Sequence, residues 1–326
     1  MKLNKKTYII AEVGNNHEGN FNVAKKLVVL AAKAGVDAVK FQTFKTQKFI
    51  RKKDKKRFNT LKRFELSYKQ FIILKDLAHK NKIEFISTPL DLESADFLSK
   101  NADVIKIASG DNNFFPLIEK VLISKKPLII STGMTNYKDL KYLVKIIENK
   151  IGKKKTKSKI SLLHCVSSYP VDNEHANLKS ISYMIKNFDV NIGYSDHTIG
   201  NEACLASVVL GAKIVEKHFT LDKNYSNFRD HALSADFFDL KNLVKSIRKI
   251  EKQLGENNKK ISKPEKKVVK ILRRGVYALK NIQKGEKVNL KNSIFLRPSN
   301  SRDFLHINKI FGKKINKNKI KNQLIS

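Results

Sequence analysis

The strongest constraint on the fold is an alternation that repeats eight times. Short runs rich in aliphatic and β-branched residues occur at 7–14 (TYIIAEVG), 37–43, 84–90, 103–110, 127–134, 160–170, 190–198 and 213–221. Between and after them lie stretches with helical hydrophobic spacing, among them 22–35, 67–81, 138–152, 201–212 and 237–255. Strand–helix repetition implies a parallel sheet, and eight units imply closure into a (β/α)8 TIM barrel. An open doubly wound sheet competes, but no glycine-rich dinucleotide loop follows the first strand. With 326 residues, 41% of them apolar, the chain is long enough for a barrel-sized core plus a small appendage.

The texture changes after residue 255. The polar stretch 256–267, which contains Pro264, reads as a linker between a barrel domain at 1–255 and a small β-rich unit at 268–326 with a Lys-Gly turn at 284–285. A unit of that size is marginal alone and is expected to dock on something.

The formal net charge is +36, from 66 Lys and Arg against 30 Asp and Glu. Such a balance raises the possibility of nucleic-acid binding. However, the lysine runs are scattered and are not interleaved with stacking aromatics, and Trp is absent, so solvated faces are the simpler reading. A positive field would still help to collect anionic small substrates. No apolar run reaches the length of a membrane span, and the apolar part of the N-terminus is short and interrupted by Glu12, so it reads as a strand. Two cysteines, Cys165 and Cys204, make neither a disulfide framework nor a CxxC metal pair, and a reducing cytoplasm is expected.

Polar residues embedded late in apolar strands mark the candidate site. In a barrel, catalytic groups come from the carboxyl ends of the strands, and side chains alternate faces along each strand. Strand one puts Glu12 on a face with Tyr8 and Ile10. Strand two pairs Lys40 with Gln42, strand four buries Lys106 ahead of Ser109 and Asp111, and strand five gives Ser131. Strand six gives His164, with Ser167 and Tyr169 in its loop. Strand seven pairs Ser195 with His197, and strand eight pairs Glu216 with His218. A buried charge is costly unless paired or used. Charged or imidazole groups at similar depth on several strands therefore imply a site that handles anions and a metal.

The segment GYSDHT invites a Ser-His-Asp hydrolase reading. Neighbouring residues on a strand face opposite ways, so Asp196 does not orient His197, and a triad is disfavoured. Two imidazoles ending adjacent strands, His197 and His218, suit a divalent transition metal with open positions for substrate oxygens. Lys40 and Lys106 suit a phosphate or carboxylate. Alternatively, one of them forms a Schiff base in a barrel aldolase.

The segments IIAEVGNNHEG, VKFQ, FISTPLD, IKIASGDNN, IISTGM, LLHCVSSYP, GYSDHT and GAKIVEKHFTLD resemble the sialic acid synthase family, and RRGVYALKNIQKGEKV with FLRP resembles its C-terminal antifreeze-like (SAF) domain. The resemblance runs from about residue 7 to about residue 313. It implies a metal-dependent condensation of phosphoenolpyruvate with an N-acetylmannosamine-type aldose, giving a nonulosonic acid and phosphate. It further implies Glu12 and Asp111 as catalytic carboxylates, and Lys40, Lys106, Ser109, Ser131 and Ser195 as phosphoenolpyruvate ligands. Gln42, Tyr169, Asp230 and Arg297 are implied as sugar contacts. His197 and His218 are implied as ligands of Mn2+, with Mg2+ or Co2+ as alternatives. In the family, the SAF domain caps the active site of the partner in a homodimer. A diacetamido acceptor giving a legionaminic-type product and a 6-phosphorylated acceptor are alternatives. A basic nucleic-acid-binding or ice-binding protein is the reading from another class.

Overall fold

The computed structural model describes residues 6–325 and divides into two compact units, one ending at Gly255 and the other beginning at Glu256. In the first, eight parallel strands close in sequence order: β1 (Tyr8–Gly14), β2 (Ala38–Thr43), β3 (Glu84–Pro89), β4 (Val104–Ile107), β5 (Leu128–Ser131), β6 (Ile160–Cys165), β7 (Asn191–Asp196) and β8 (Ile214–His218). β8 returns to β1 with Tyr8 beside Ile214 and Glu12 beside His218. This is the (β/α)8 barrel that the alternation implied.

The surrounding helices begin where short polar side chains satisfy the free N–H groups of a first turn. Asn20 caps the helix Phe21–Ala34, and capping boxes at Ser67, Asn136 and Asp236 open Tyr68–Lys80, Tyr137–Ile151 and Phe237–Leu254. Gly35, at φ 90°, ends the first of these in a left-handed turn. The apolar faces of the helices pack on the outward residues of the strands and form the main core. The lysine runs stay outside it: Arg51–Arg57 is exposed, and Lys153–Lys159 forms a short helix with its lysines in solvent.

Inside the barrel, Tyr8, Ile10, Ala38, Ile86, Val104, Ile129, Leu163 and Ile214 form a separate buried apolar layer. Gly193 contributes no side chain there because none fits. A Cβ on it would lie 2.5 Å from the Ile214 carbonyl and 2.6 Å from Leu163 Cδ2. Gly193→Ala is expected to lower stability by about 1–3 kcal/mol through overpacking, seen as a lower denaturation midpoint.

The second unit is a three-stranded antiparallel sheet in the order β10 (Ser293–Leu296), β9 (Gly275–Ala278), β11 (Leu324–Ile325). Its core is Val276, Ala278, Ile282, Val288, Ile310, Ile315 and Ile325. Gly285, at φ 91°, supplies the expected Lys-Gly turn. The stretch expected as linker differs from expectation: from Lys263 to Leu272 the chain is helical, with Ser262 and Glu265 forming a capping box. Pro264 marks the first turn of a helix here, where its missing N–H is not needed.

Candidate active site

Above the apolar layer each strand switches character. One turn of the pleat toward the carboxyl ends, the interior residues are Glu12, Lys40, Thr88, Lys106, Ser131, Cys165, Ser195 and Glu216. With Gln42, Tyr169, His197, His218, Arg229 and Asp230 they line a cavity of about 90 Å³. Strand register sets the neighbours. Glu12 lies beside Lys40 on one side and His218 on the other, and Glu216 lies beside Ser195.

The charged groups are buried and interlocked. Lys106 Nζ donates to both oxygens of Glu216 at 2.9 Å, and Ser195 Oγ donates to Glu216 Oε1 at 2.9 Å. Lys40 Nζ bridges Glu12 Oε2 at 3.0 Å and Glu216 Oε1 at 3.4 Å. Burial works against the charge of Glu216, but Lys106 and Lys40 outweigh it and hold its carboxyl well below the usual range. Glu12 is the opposite case: burial pushes its carboxyl above the ordinary value, and Lys40 opposes this only in part. The two carboxyls are thus pushed in opposite directions, Glu216 down and Glu12 up. Burial depresses the Lys106 ammonium with help from Lys40, whereas Glu12 and Glu216 raise Lys40 against its own burial.

Beside this cluster stand the two histidines, with ring centroids 5.2 Å apart. The Nδ1 of His197 lies 2.7 Å from the Val166 carbonyl, which fixes that nitrogen as the donor and leaves Nε2 as the free one. His218 is buried with no partner at Nδ1, and burial, reinforced by His197, holds it well below the usual imidazole range. An orphaned neutral imidazole next to an oriented one fits a divalent ion. Among the described residues no set of three or more His, Cys, Asp or Glu side chains converges, so the chain offers two nitrogen donors. On a pair that holds a divalent ion, His197→Ala would weaken that binding by about 10-fold or more by calorimetry, by removing one of two donors.

The rim is layered. Tyr169 packs on His197 with ring centroids 4.1 Å apart, and the Arg229 guanidinium lies 4.4 Å from the Tyr169 ring. Arg229 Nε also lies 3.3 Å from Asp230 Oδ1. The next residue, His231, bridges Thr220 Oγ1 at 2.7 Å and Glu18 Oε1 at 3.2 Å, tying this loop to the one after β1. Gln42 accepts a hydrogen bond from Asn15 of that same loop at 2.8 Å. On the far side, Ser109 Oγ accepts from the Gly133 N–H at 3.1 Å. A Cβ on Gly133 would meet Ser167 Oγ at 2.3 Å and Ser109 Oγ at 2.7 Å, so glycine keeps these hydroxyls close together. Ser131, Thr88 and Ser167 hydroxyls are buried without partners.

Eleven of the thirteen site residues that the family resemblance implies line this one cavity. Asp111 does not. It ends a short 3-10 turn from Ser109, half-buried, with burial raising its carboxyl. Arg297 belongs to the second unit, just after β10. His164 departs from the parity read for strand six. Leu163 and Cys165 face the interior, whereas His164 faces outward, with Nε2 2.9 Å from the Ala176 carbonyl and its ring stacked on Tyr194. Thr88 and Arg229 were not anticipated. A larger cavity of about 530 Å³, bounded by Tyr137, Tyr183 and the outer side of residues 166–168, has no carboxylate, ammonium or guanidinium in its lining among the described residues.

The segment GYSDHT is now explained. Asp196 Oδ2 pairs with Lys217 Nζ at 2.7 Å behind the barrel wall, and its Oδ1 accepts from Thr198 N, Thr198 Oγ1 and Tyr194 OH. It serves the strand β7 turn and leaves His197 to the cavity.

Residues 27–259 match the model of the NeuB family. The N,N'-diacetyllegionaminic acid synthase of Campylobacter jejuni is 39% identical over 98% of this chain and 99% of its own. The N-acetylneuraminate-9-phosphate synthase of Mus musculus is 35% identical over 78% of this chain and 73% of its own. The crystal structure of an N-acetylneuraminic acid synthetase from Leptospira borgpetersenii superposes with a TM-score of 0.75 at 34% identity, covering 81% of this chain and 90% of that one. With a barrel of the same architecture and the site at its carboxyl end, this chain belongs to the NeuB family.

Proposed function

We propose that the chain joins phosphoenolpyruvate to an N-acetylmannosamine-type aldose, forming a carbon–carbon bond and releasing phosphate. NeuB-family synthases are transferases of this type. The observation that carries the reading is the buried quartet Glu12, Lys40, Lys106 and Glu216, held within 3.4 Å of one another in sequence along the cavity floor. Two lysine side chains set in a buried pocket, each paired with a carboxylate, are suited to a doubly anionic substrate. The partnerless hydroxyls of Ser131 and Thr88 are free to donate to its oxygens, beside Ser109 and Ser195.

In the reaction, the methylene carbon of phosphoenolpyruvate attacks the aldehyde carbon: the enol double bond supplies the new bond, and the carbonyl double bond opens to an alkoxide that takes up a proton as the product hydroxyl. The carbon bearing the phosphate becomes electron-deficient and takes up water, and the adduct then sheds phosphate. Glu12, whose carboxyl exchanges a proton readily, orients that water and takes its proton. Lys40 and Lys106 offset the substrate charges, and the pocket walls hold the two carbons in attack geometry. His197 and His218 would hold a divalent ion, Mn2+ in this reading, which when bound would supply Lewis acidity toward an aldehyde. Gln42, Tyr169 and Asp230 face the acceptor side. A diacetamido acceptor is a second reading, supported by the near full-length likeness to the Campylobacter synthase.

The test is phosphate release from phosphoenolpyruvate with Mn2+ and a panel of mono- and diacetamido mannose-type sugars, phosphorylated and not. Release that depends on both metal and acceptor, with a nonulosonic acid as product, is the expected result. Borohydride trapping of a lysine adduct with no phosphate release would replace this reading with a Schiff-base aldolase.

A further inference from the structure

The cavity lining holds three cations, and they are engaged very differently. Lys106 is chelated by both oxygens of Glu216, and Lys40 is shared between Glu12 and Glu216. Arg229 is tied only through Nε to Asp230, at 3.3 Å, and its side chain is 67% exposed. No hydrogen bond or ion pair engages its Nη edge among the described residues. Its guanidinium lies over the Tyr169 ring, 4.4 Å from the ring centroid, and Tyr169 in turn lies over His197. A guanidinium packed on an aromatic ring with its donor edge facing outward is suited to bidentate contact with a phosphate or carboxylate.

Its position says which substrate carries that anion. Lys106, Ser109 and Ser131 come from the ends of β4 and β5, whereas Arg229 follows β8, across the eight-stranded ring. The stack His197–Tyr169–Arg229 runs outward from the imidazole pair to the rim. An aldehyde oxygen seated near the histidines therefore leaves the far end of the sugar at Arg229. We propose that Arg229 is a specificity-determining residue that receives a phosphate ester on the end of the acceptor sugar remote from its aldehyde. This rests on the condensation proposed above and narrows it to an acceptor with a terminal anion.

The experiment compares N-acetylmannosamine 6-phosphate with N-acetylmannosamine at saturating phosphoenolpyruvate and Mn2+, in the full chain and in Arg229→Ala and Arg229→Lys. The parent is expected to favour the phosphorylated sugar by about 10-fold or more in kcat/KM, since charge-assisted contacts are among the strong ones. In Arg229→Ala that ratio collapses toward unity through a higher KM for the phosphorylated sugar. Arg229→Lys restores part of it. A ratio that survives in Arg229→Ala, or a parent without the preference, overturns the assignment. So does a variant whose KM rises chiefly for phosphoenolpyruvate, which would move Arg229 to the other substrate. If the parent releases no phosphate with any acceptor, the synthase reading fails separately. Calorimetric binding of N-acetylmannosamine 6-phosphate then decides: loss in Arg229→Ala keeps the anion site, and equal binding removes it.

Discussion

Glu12→Gln is expected, on the proposed reaction, to lower turnover by on the order of 10²–10⁴-fold, about 2.7–5.5 kcal/mol of barrier, while leaving phosphoenolpyruvate binding in place. The substitution keeps the size of the side chain and its place beside Lys40, but removes a carboxyl that burial has made ready to exchange a proton. Lys40 retains Glu216 as a partner at 3.4 Å, so the charged floor persists. Phosphate release measures the loss, and calorimetry with phosphoenolpyruvate measures what remains. A variant that keeps more than about a tenth of parental turnover removes Glu12 from proton handling, since general acid–base catalysis contributes at least that much.

The largest effect on stability is expected away from the cavity. Asp196→Ala is predicted to cost about 3–5 kcal/mol, because it strands the Lys217 ammonium in a fully buried position. It also strips the N–H and hydroxyl of Thr198 and the hydroxyl of Tyr194 of a shared acceptor. The denaturant midpoint of the barrel transition reads this directly. The double change Asp196→Leu with Lys217→Met should recover much of the loss, since replacing both partners with apolar groups removes the unpaired charge. A single variant within about 1 kcal/mol of the parent would show that the pair does not hold the wall.

The strand–helix repeat carried the architecture because parallel barrel strands read as short apolar runs between capped helices. Glu12, Lys40, Lys106 and Glu216 could be placed because a charge inside such a run stands out, and the pleat tells which face it shares. His164 shows where this reasoning stops. ISLLHC is apolar on both faces, as expected of a strand covered on both sides, so its parity is not written in its pattern. The neighbouring Cys165, with no charge to advertise it, proved to be the interior residue. Asp196 was correctly turned away from His197, but its partner Lys217 went unnoticed because the two are 21 positions apart and meet only across paired strands. Thr88 is an ordinary strand threonine until its neighbours are known. Arg229 sits in a loop with no period to read, and only its place over Tyr169 brings it to the cavity. Pro264 reads as part of a linker in the sequence, whereas Ser262 with Glu265 makes it the first turn of a helix.

The apolar layer formed by Ile10, Ile86, Val104, Ile129, Leu163 and Ile214 makes the barrel a cul-de-sac with one doorway. Traffic through a single opening has an order. On the proposed reaction, whatever settles deepest, against Lys106, arrives before the sugar and its remnant departs after it. Inhibition patterns should then show inorganic phosphate competing with the first comer, and the sugar acid giving mixed inhibition against both substrates.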